Sequence, residues 1–240
     1  DGIETPISVA DDPHEIEIDA NPEWEQDFVR VTYQGLGLPP TVAEVTRDDL
    51  SVTVLKTQPT PNIDLSSYVS RREWATAPDG RKVPVDIIHH RDTPLDGTAP
   101  CLLYAYGSYE ASMAPWFSVA RLSLLDRGWV WALAHPRGGG EMGREWYLEG
   151  RLLNKRNTFT DTLACAHHLG ASLVDARRMV VRGGSAGGLL VGACITMEPS
   201  TFAAAVAEVP FVDIVTTMSD PSLPLTVTEW EEWGDPRQEP

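Results

Sequence analysis

The chain has 240 residues, 42% of them apolar, enough for one large folded unit or two small ones with a real core. Its 19 basic and 35 acidic residues leave a net charge of −16, which argues against the basic patches that nucleic acid or anionic lipid requires. No apolar run approaches the roughly 18 residues of a membrane span.

The first 29 residues carry ten carboxylates and no Lys or Arg, so no secretory n-region is expected in them and a cytoplasmic location is. Residues 1–60 read as β structure. His14–Asp19 and Phe28–Tyr33 alternate, and Thr41–Thr46 and Ser51–Lys56 are short β-branched runs, with Asn21-Pro22, Gly35 to Pro40 and Asp48-Asp49 as turns. Four such strands make one antiparallel unit, the size of a β-propeller blade, and a blade needs neighbours to bury its faces. The chain opens at Asp1 and stops at Pro240 in a loop-like run, and it reads as cut at both ends. Gln58–Ser67 reads as a linker, which sets the expected boundary between 1–67 and 68–240.

Beyond it the pattern changes. Ser70–Thr76 and Lys82–His89 form a hairpin across Pro78-Asp79-Gly80. Cys101–Tyr106 is a strand, Phe117–Arg127 a helix and Trp129–His135 a strand. A glycine-rich loop, Arg137 to Gly140, precedes a short amphipathic stretch at Glu141–Leu148. It lacks the G-x-x-x-x-G-K-[ST] spacing of a phosphate loop and reads as a structural loop beside a cleft. A helix over Thr158–Leu169 takes Asn157 as its cap, with Asp161 a local cap or a salt-bridge partner near Arg156. Met179–Arg182 is a strand, Gly187–Met197 a helix and Phe202–Ala207 a strand. Strands alternating with helices imply a mostly parallel sheet covered on both faces, the α/β class. Cys101, Cys165 and Cys194 are too few and too scattered for a disulfide framework or a metal site and read as buried free thiols. No cofactor or metal is expected.

The chemistry concentrates at Gly183-Gly184-Ser185-Ala186-Gly187, a G-x-S-x-G between a β-branched strand and a Gly/Leu/Ala helix. A serine hydroxyl becomes a nucleophile only when a base takes its proton and a donor pair receives the oxyanion. At such an elbow Ser185 projects from the strand end, and the Ala186 amide at the helix start points toward the developing charge. The stretch Leu103 to Tyr109 ends a strand. Its residues alone fit either an aromatic strand end packed on a helix or the place of a second oxyanion donor, with a tyrosine hydroxyl as the donor.

The runs LLYAYGSYEAS, AHPRGGGEMGREWYLEGRLLNKRNTFTD, RGGSAGGLLVGA and VPFVDIVTTMSDPSLPLTVTEWEEWGDP, in that order, resemble the prolyl oligopeptidase family. Within it they are most similar to its oligopeptidase B branch, also called protease II. The resemblance implies an α/β-hydrolase domain, here incomplete at its C-terminus, capped by a seven-bladed propeller whose last blade residues 1–60 would supply. It implies a buried site that admits short peptides and cuts after Arg or Lys. Ser185 then matches the nucleophile, Tyr106 the oxyanion hydroxyl and Ala186 the oxyanion amide. Glu229 and Glu231 match the carboxylates that hold the basic side chain. Without the resemblance, Glu229, Glu231 and Glu232 beside Trp230 and Trp233 read as a solvated acidic turn.

Two features depart from the family pattern. Where relatives that favour paired basic residues carry aspartates, this chain has Ala114 and Trp116, so a strong dibasic preference is not expected. All six histidines, His14, His89, His90, His135, His167 and His168, precede Ser185, whereas the hydrolase triad runs Ser, Asp, His. Asp213, Asp220 and Asp235 come after Ser185 but too early for the family's aspartate. The triad Asp and His are therefore expected outside this chain, and the chain alone is expected to be nearly inactive. Two other readings stay open: a prolyl-specific or acylaminoacyl peptidase of the same family, and an inactive remnant acting as a binding module.

Overall fold

A computed structural model describes residues 5–238; Asp1 and Pro240 lie outside the described residues. The N-terminal strands are β1 (His14–Ile18), β2 (Phe28–Gly35), β3 (Thr41–Thr46) and β4 (Val52–Thr57), antiparallel neighbours in chain order. In β2 and β3 alternation is the burial pattern, with Val31, Tyr33, Ala43 and Val45 on one face, whereas Ile16 and Ile18 of the alternating β1 are exposed. The unit leans on the C-terminal part of the chain. Leu36, at the end of β2, is fully buried with Ile88 and Leu133, and Gln34 accepts from the Phe117 amide.

The second sheet holds β5 (Tyr68–Thr76), β6 (Lys82–His90), β7 (Cys101–Tyr104), β8 (Val130–Ala134), β9 (Met179–Gly184) and β10 (Ala204–Glu208). Their order is β10-β9-β7-β8-β6-β5, antiparallel from β5 to β8 and parallel from β8 to β10. The hairpin turns at Gly80, whose φ of 88° only glycine adopts without strain. Helices cover both faces. α3 (Arg156–Ser172) and α4 (Ala186–Met197) pack Leu163, Leu169, Leu190 and Val191 on one, and α1 (Val119–Leu125) packs Leu122 and Leu125 on the other. An antiparallel unit followed by a mixed α/β sheet of this order is the α/β-hydrolase architecture expected from the sequence. The short α2 (Arg144–Leu148) comes after the glycine-rich loop.

Two local expectations are corrected. Asn157 does not cap α3: the helix begins at Arg156, after Lys155 already in helical conformation, and the Asn157 amide donates to the Glu149 carbonyl. Asp161 is neither a cap nor a partner of Arg156. It is fully buried and receives the Arg137 guanidinium through two parallel bonds, Nε to Oδ2 at 2.9 Å and Nη2 to Oδ1 at 2.7 Å. Two helices close the chain, α5 (Ile214–Ser219) and α6 (Thr226–Trp233), and the acidic run Glu229 to Glu232 lies within α6.

The cysteines are free and buried, and burial pushes the thiols of Cys101 and Cys194 up to about 12. Among the described residues no helix is long and apolar enough to cross a membrane.

Candidate active site

β9 ends at Gly184 and α4 begins at Ala186, so one residue makes the whole turn. Ser185 makes it at φ 54° and ψ −118°, a conformation that costs a non-glycine residue energy and persists only where its surroundings enforce it. Its amide donates to the Glu208 carbonyl at 2.9 Å, and its own carbonyl accepts from Gly188 at 2.9 Å and Phe211 at 3.0 Å. The flanking glycines are forced by space. A Cβ on Gly183 would strike the Gly187 carbonyl oxygen, and one on Gly187 would lie 2.7 Å from the Ala105 oxygen and 3.3 Å from Tyr106. The elbow thus closes directly on the end of β7. The Ser185 side chain is left exposed at the tip. The Ala186 amide, first in α4, has no acceptor inside its helix and lies at the positive end of the helix dipole.

Tyr106 stands across from it. Burial raises the phenol's pKa first, the charges of Glu229 and Glu232 add to that, and the nearby Ser185 hydroxyl pulls it partly back. A phenol so shifted keeps its proton and stays a donor, which an oxyanion requires. Ser185 is exposed at the elbow, and Tyr106 packs on the adjacent Gly187.

The loop after Tyr106 is pinned by residues that sequence reasoning missed. Tyr109 and Glu110 have φ of 61° and 57°. The Tyr109 hydroxyl donates to Glu229 Oε2 at 2.8 Å and accepts from Trp233 Nε1 at 2.9 Å. Lys155 donates to the Gly107 carbonyl at 2.7 Å and to Ser108 Oγ at 2.6 Å, and lies 3.1 Å from Glu232 Oε1. Burial lowers the Lys155 pKa and Glu232 opposes it. The acidic run therefore divides. Glu232 is 2% exposed and structural, Glu229 is half-buried beside the Tyr106–Tyr109 rings, and Glu231 is exposed. Glu229 and Glu231 are two apart on a helix and do not face one point, whereas Glu229, Glu232 and Trp233 share a face. That spacing was available in the sequence once a helix was assigned there.

The glycine-rich loop abuts the same place. Gly138 accepts from the Glu110 amide at 3.1 Å, and the Arg137 guanidinium beneath it is held by Asp161 and, at 2.6 Å, by Asp79. These carboxylates raise the pKa of Arg137. His135 sits between Asp86, 2.9 Å from Nε2, and Glu141, 3.3 Å from Nδ1. Burial works to lower its pKa, but those carboxylates outweigh it and hold the imidazole above its ordinary value. None of the six histidines hydrogen-bonds Ser185 among the described residues: His167 pairs with Glu198, and His168 lies near Glu73. Asp220 turns on Ser222 and Asp235 pairs with Arg237. Trp116 packs inward against Tyr104 and Trp131.

Residues 115–240 match the model of the prolyl oligopeptidase family. The chain belongs to that family. It is 46% identical over 240 residues to dipeptidyl aminopeptidase BI of Pseudoxanthomonas mexicana, covering 99% of this chain and 33% of that protein. It is 43% identical over 218 residues to protease 2 of Moraxella lacunata, covering 90% and 32%. The structure superposes on oligopeptidase B from Leishmania major with a TM-score of 0.87 at 43% identity, covering 98% of this chain and 32% of that one. The chain thus spans about a third of the length of these relatives. Prolyl oligopeptidase family members are serine peptidases, and the similarity to oligopeptidase B extends over both sheets.

Proposed function

We propose that this chain is the nucleophile-bearing part of a serine oligopeptidase that cleaves short peptides after Arg or Lys. The observation that carries the reading is Ser185, strained and exposed at the one-residue turn, with Tyr106 packed against the same elbow at Gly187. Ser185 Oγ attacks the scissile carbonyl, and the oxyanion is received by the Tyr106 hydroxyl and the Ala186 N–H. The base is inferred to be a histidine oriented by an aspartate, both outside residues 1–240, so the chain alone is nearly inactive. Glu229, oriented by Tyr109, receives the basic side chain of the substrate, and Glu231 adds charge at the rim. Residues 1–67 are read as the end of a propeller cap with its linker, residues 68–240 as the catalytic domain, and the location as cytoplasmic.

Reporter peptides ending in Arg, Lys or Pro test the specificity on the longer protein. Arg and Lys reporters are expected to be cut and Pro not; a preference for Pro would return the glutamates to a structural role. Glu229→Gln is expected to lower kcat/KM for the Arg reporter roughly 10- to 100-fold. Tyr106→Phe is expected to lower kcat by roughly two to three decades with an unchanged melting temperature. An unchanged rate would make the phenol a packing group. The relative named dipeptidyl aminopeptidase favours a second reading, release of dipeptides by the same nucleophile. Blocking the amino group of a dipeptide reporter separates the two, since only the oligopeptidase tolerates the block.

A further inference from the structure

Charged side chains buried in this fold have opposite charges beside them: Arg137 has Asp161, Asp86 has Arg72 and His135, and Glu232 has Lys155. Arg121 is the exception. It is 5% exposed, on the inner side of α1, and among the described residues no carboxylate lies within ion-pair distance. Nη1 donates to the Trp116 carbonyl at 2.8 Å, and Nε has no acceptor among the described residues. Its guanidinium carbon is 3.7 Å from the Trp131 ring centre and 4.9 Å from that of Trp116, two rings set at 85°. Burial alone, with no charge to offset it, brings its pKa down to about 10. Burying a cation in this way is costly unless an anion joins it.

Space for one exists. A cavity of about 350 Å³ is lined by Arg121 together with Tyr104, Ser118, Trp131, Arg182 and Glu208. It lies on the α1 face of the sheet, away from α4, below the ends of β7 and β9. Arg182 is already engaged by Glu208 through bonds of 2.8 and 3.0 Å. The walls therefore carry two cations and one anion, a surplus of one positive charge. A phosphate dianion would meet Glu208 with a second negative charge; a carboxylate balances the site. We propose that this cavity is a carboxylate-binding site, with the fork of Arg121 as its anchor. The tryptophans fix the plane of the guanidinium and Nη1 is taken by the Trp116 carbonyl, so a bidentate carboxylate would use the donors left over, Nη2 and the buried Nε.

The carboxylate can come from a free acid or from an acidic side chain of the longer protein, and one experiment covers both. Sodium acetate is titrated into the 240-residue chain against sodium chloride at equal ionic strength, reading melting temperature and tryptophan emission. Acetate is expected to bind with a Kd on the order of 10 mM. At 0.1 M it should raise the melting temperature by about 3–5 °C beyond chloride. Arg121→Met should erase the difference, and Arg121→Lys, which keeps the charge but loses the fork, should weaken binding about tenfold. Equal responses to acetate and chloride in the unaltered chain overturn the proposal, as does a difference that survives in Arg121→Met. Where Arg121→Met does not fold, unchanged affinity in Arg121→Lys overturns it. In the longer protein, a persisting acetate response identifies a free acid as the ligand. Loss of that response, with Arg121→Met now destabilising, identifies an internal acidic side chain.

Discussion

Ser185→Ala in the longer protein is expected to abolish labelling by a fluorophosphonate and to cut turnover about 10⁶-fold, the scale of loss when a serine hydrolase keeps its binding surface but loses its nucleophile. The physical ground is local. The residue occupies a positive-φ conformation at the one-residue turn from β9 to α4, and three backbone bonds to Glu208, Gly188 and Phe211 hold it there. Alanine tolerates that backbone no worse than serine, so the melting temperature should stay within about 1 °C while the chemistry disappears. The same probe on the 240-residue chain is expected to label Ser185 weakly or not at all, because no histidine hydrogen-bonds the hydroxyl. Labelling equal to that of the longer protein would mean that the base lies within these residues after all.

What could be read from sequence and what could not divides along the range of the interactions involved. Strands β2 and β3 were legible because each buries one face, and alternation along a strand is a local pattern; β1 and β4, largely exposed, were legible from their β-branched and alternating residues and the turns between them. The elbow was legible because its glycines fall in one short run, G-x-S-x-G: Gly183 closes on the Gly187 carbonyl within that run, although the clash at Gly187 is with Ala105 and Tyr106, distant in sequence. The helix at Thr226–Trp233 was not, since Leu225 in left-handed conformation begins it and no side chain caps it, so the usual start signals are missing. The partners that fix the site are distant in sequence as well. Glu229 lies 120 residues from Tyr109, and Glu232 lies 77 from Lys155. Nothing local distinguishes Glu232, which is buried, from Glu231, which is not. Only the family motif singled out Glu229, and only the structure adds the tyrosine that orients it.

Asp161 shows the cost of reading such a residue locally, and it carries the second large effect. Taken as a helix-surface residue near Arg156, its loss would cost a few tenths of a kcal/mol. In the fold it is fully buried, binds the Arg137 guanidinium bidentately and accepts the Arg137 backbone amide at 3.0 Å. Asp161→Asn leaves a guanidinium that is 2% exposed facing a neutral amide, with the partly solvated Asp79 and, at 3.5 Å, Glu149 as its remaining carboxylates. The expected loss is about 3–5 kcal/mol. For a chain of this size that is roughly 6–20 °C in melting temperature, read by thermal or urea unfolding. Asp79→Ala should cost about 1 kcal/mol or less, because that pair is half solvated. Replacing the pair together, Arg137→Met with Asp161→Leu, should recover much of the loss, since the penalty of Asp161→Asn comes from the stranded charge. The consequence reaches the site. Arg137 carries the loop whose Gly138 carbonyl holds the Glu110 amide, so freeing it loosens the segment just after Tyr106. Asp161→Asn should therefore lower kcat in the longer protein at temperatures where it remains folded. Wild-type turnover at those temperatures would confine Asp161 to stability and detach the glycine-rich loop from the oxyanion side of the mechanism.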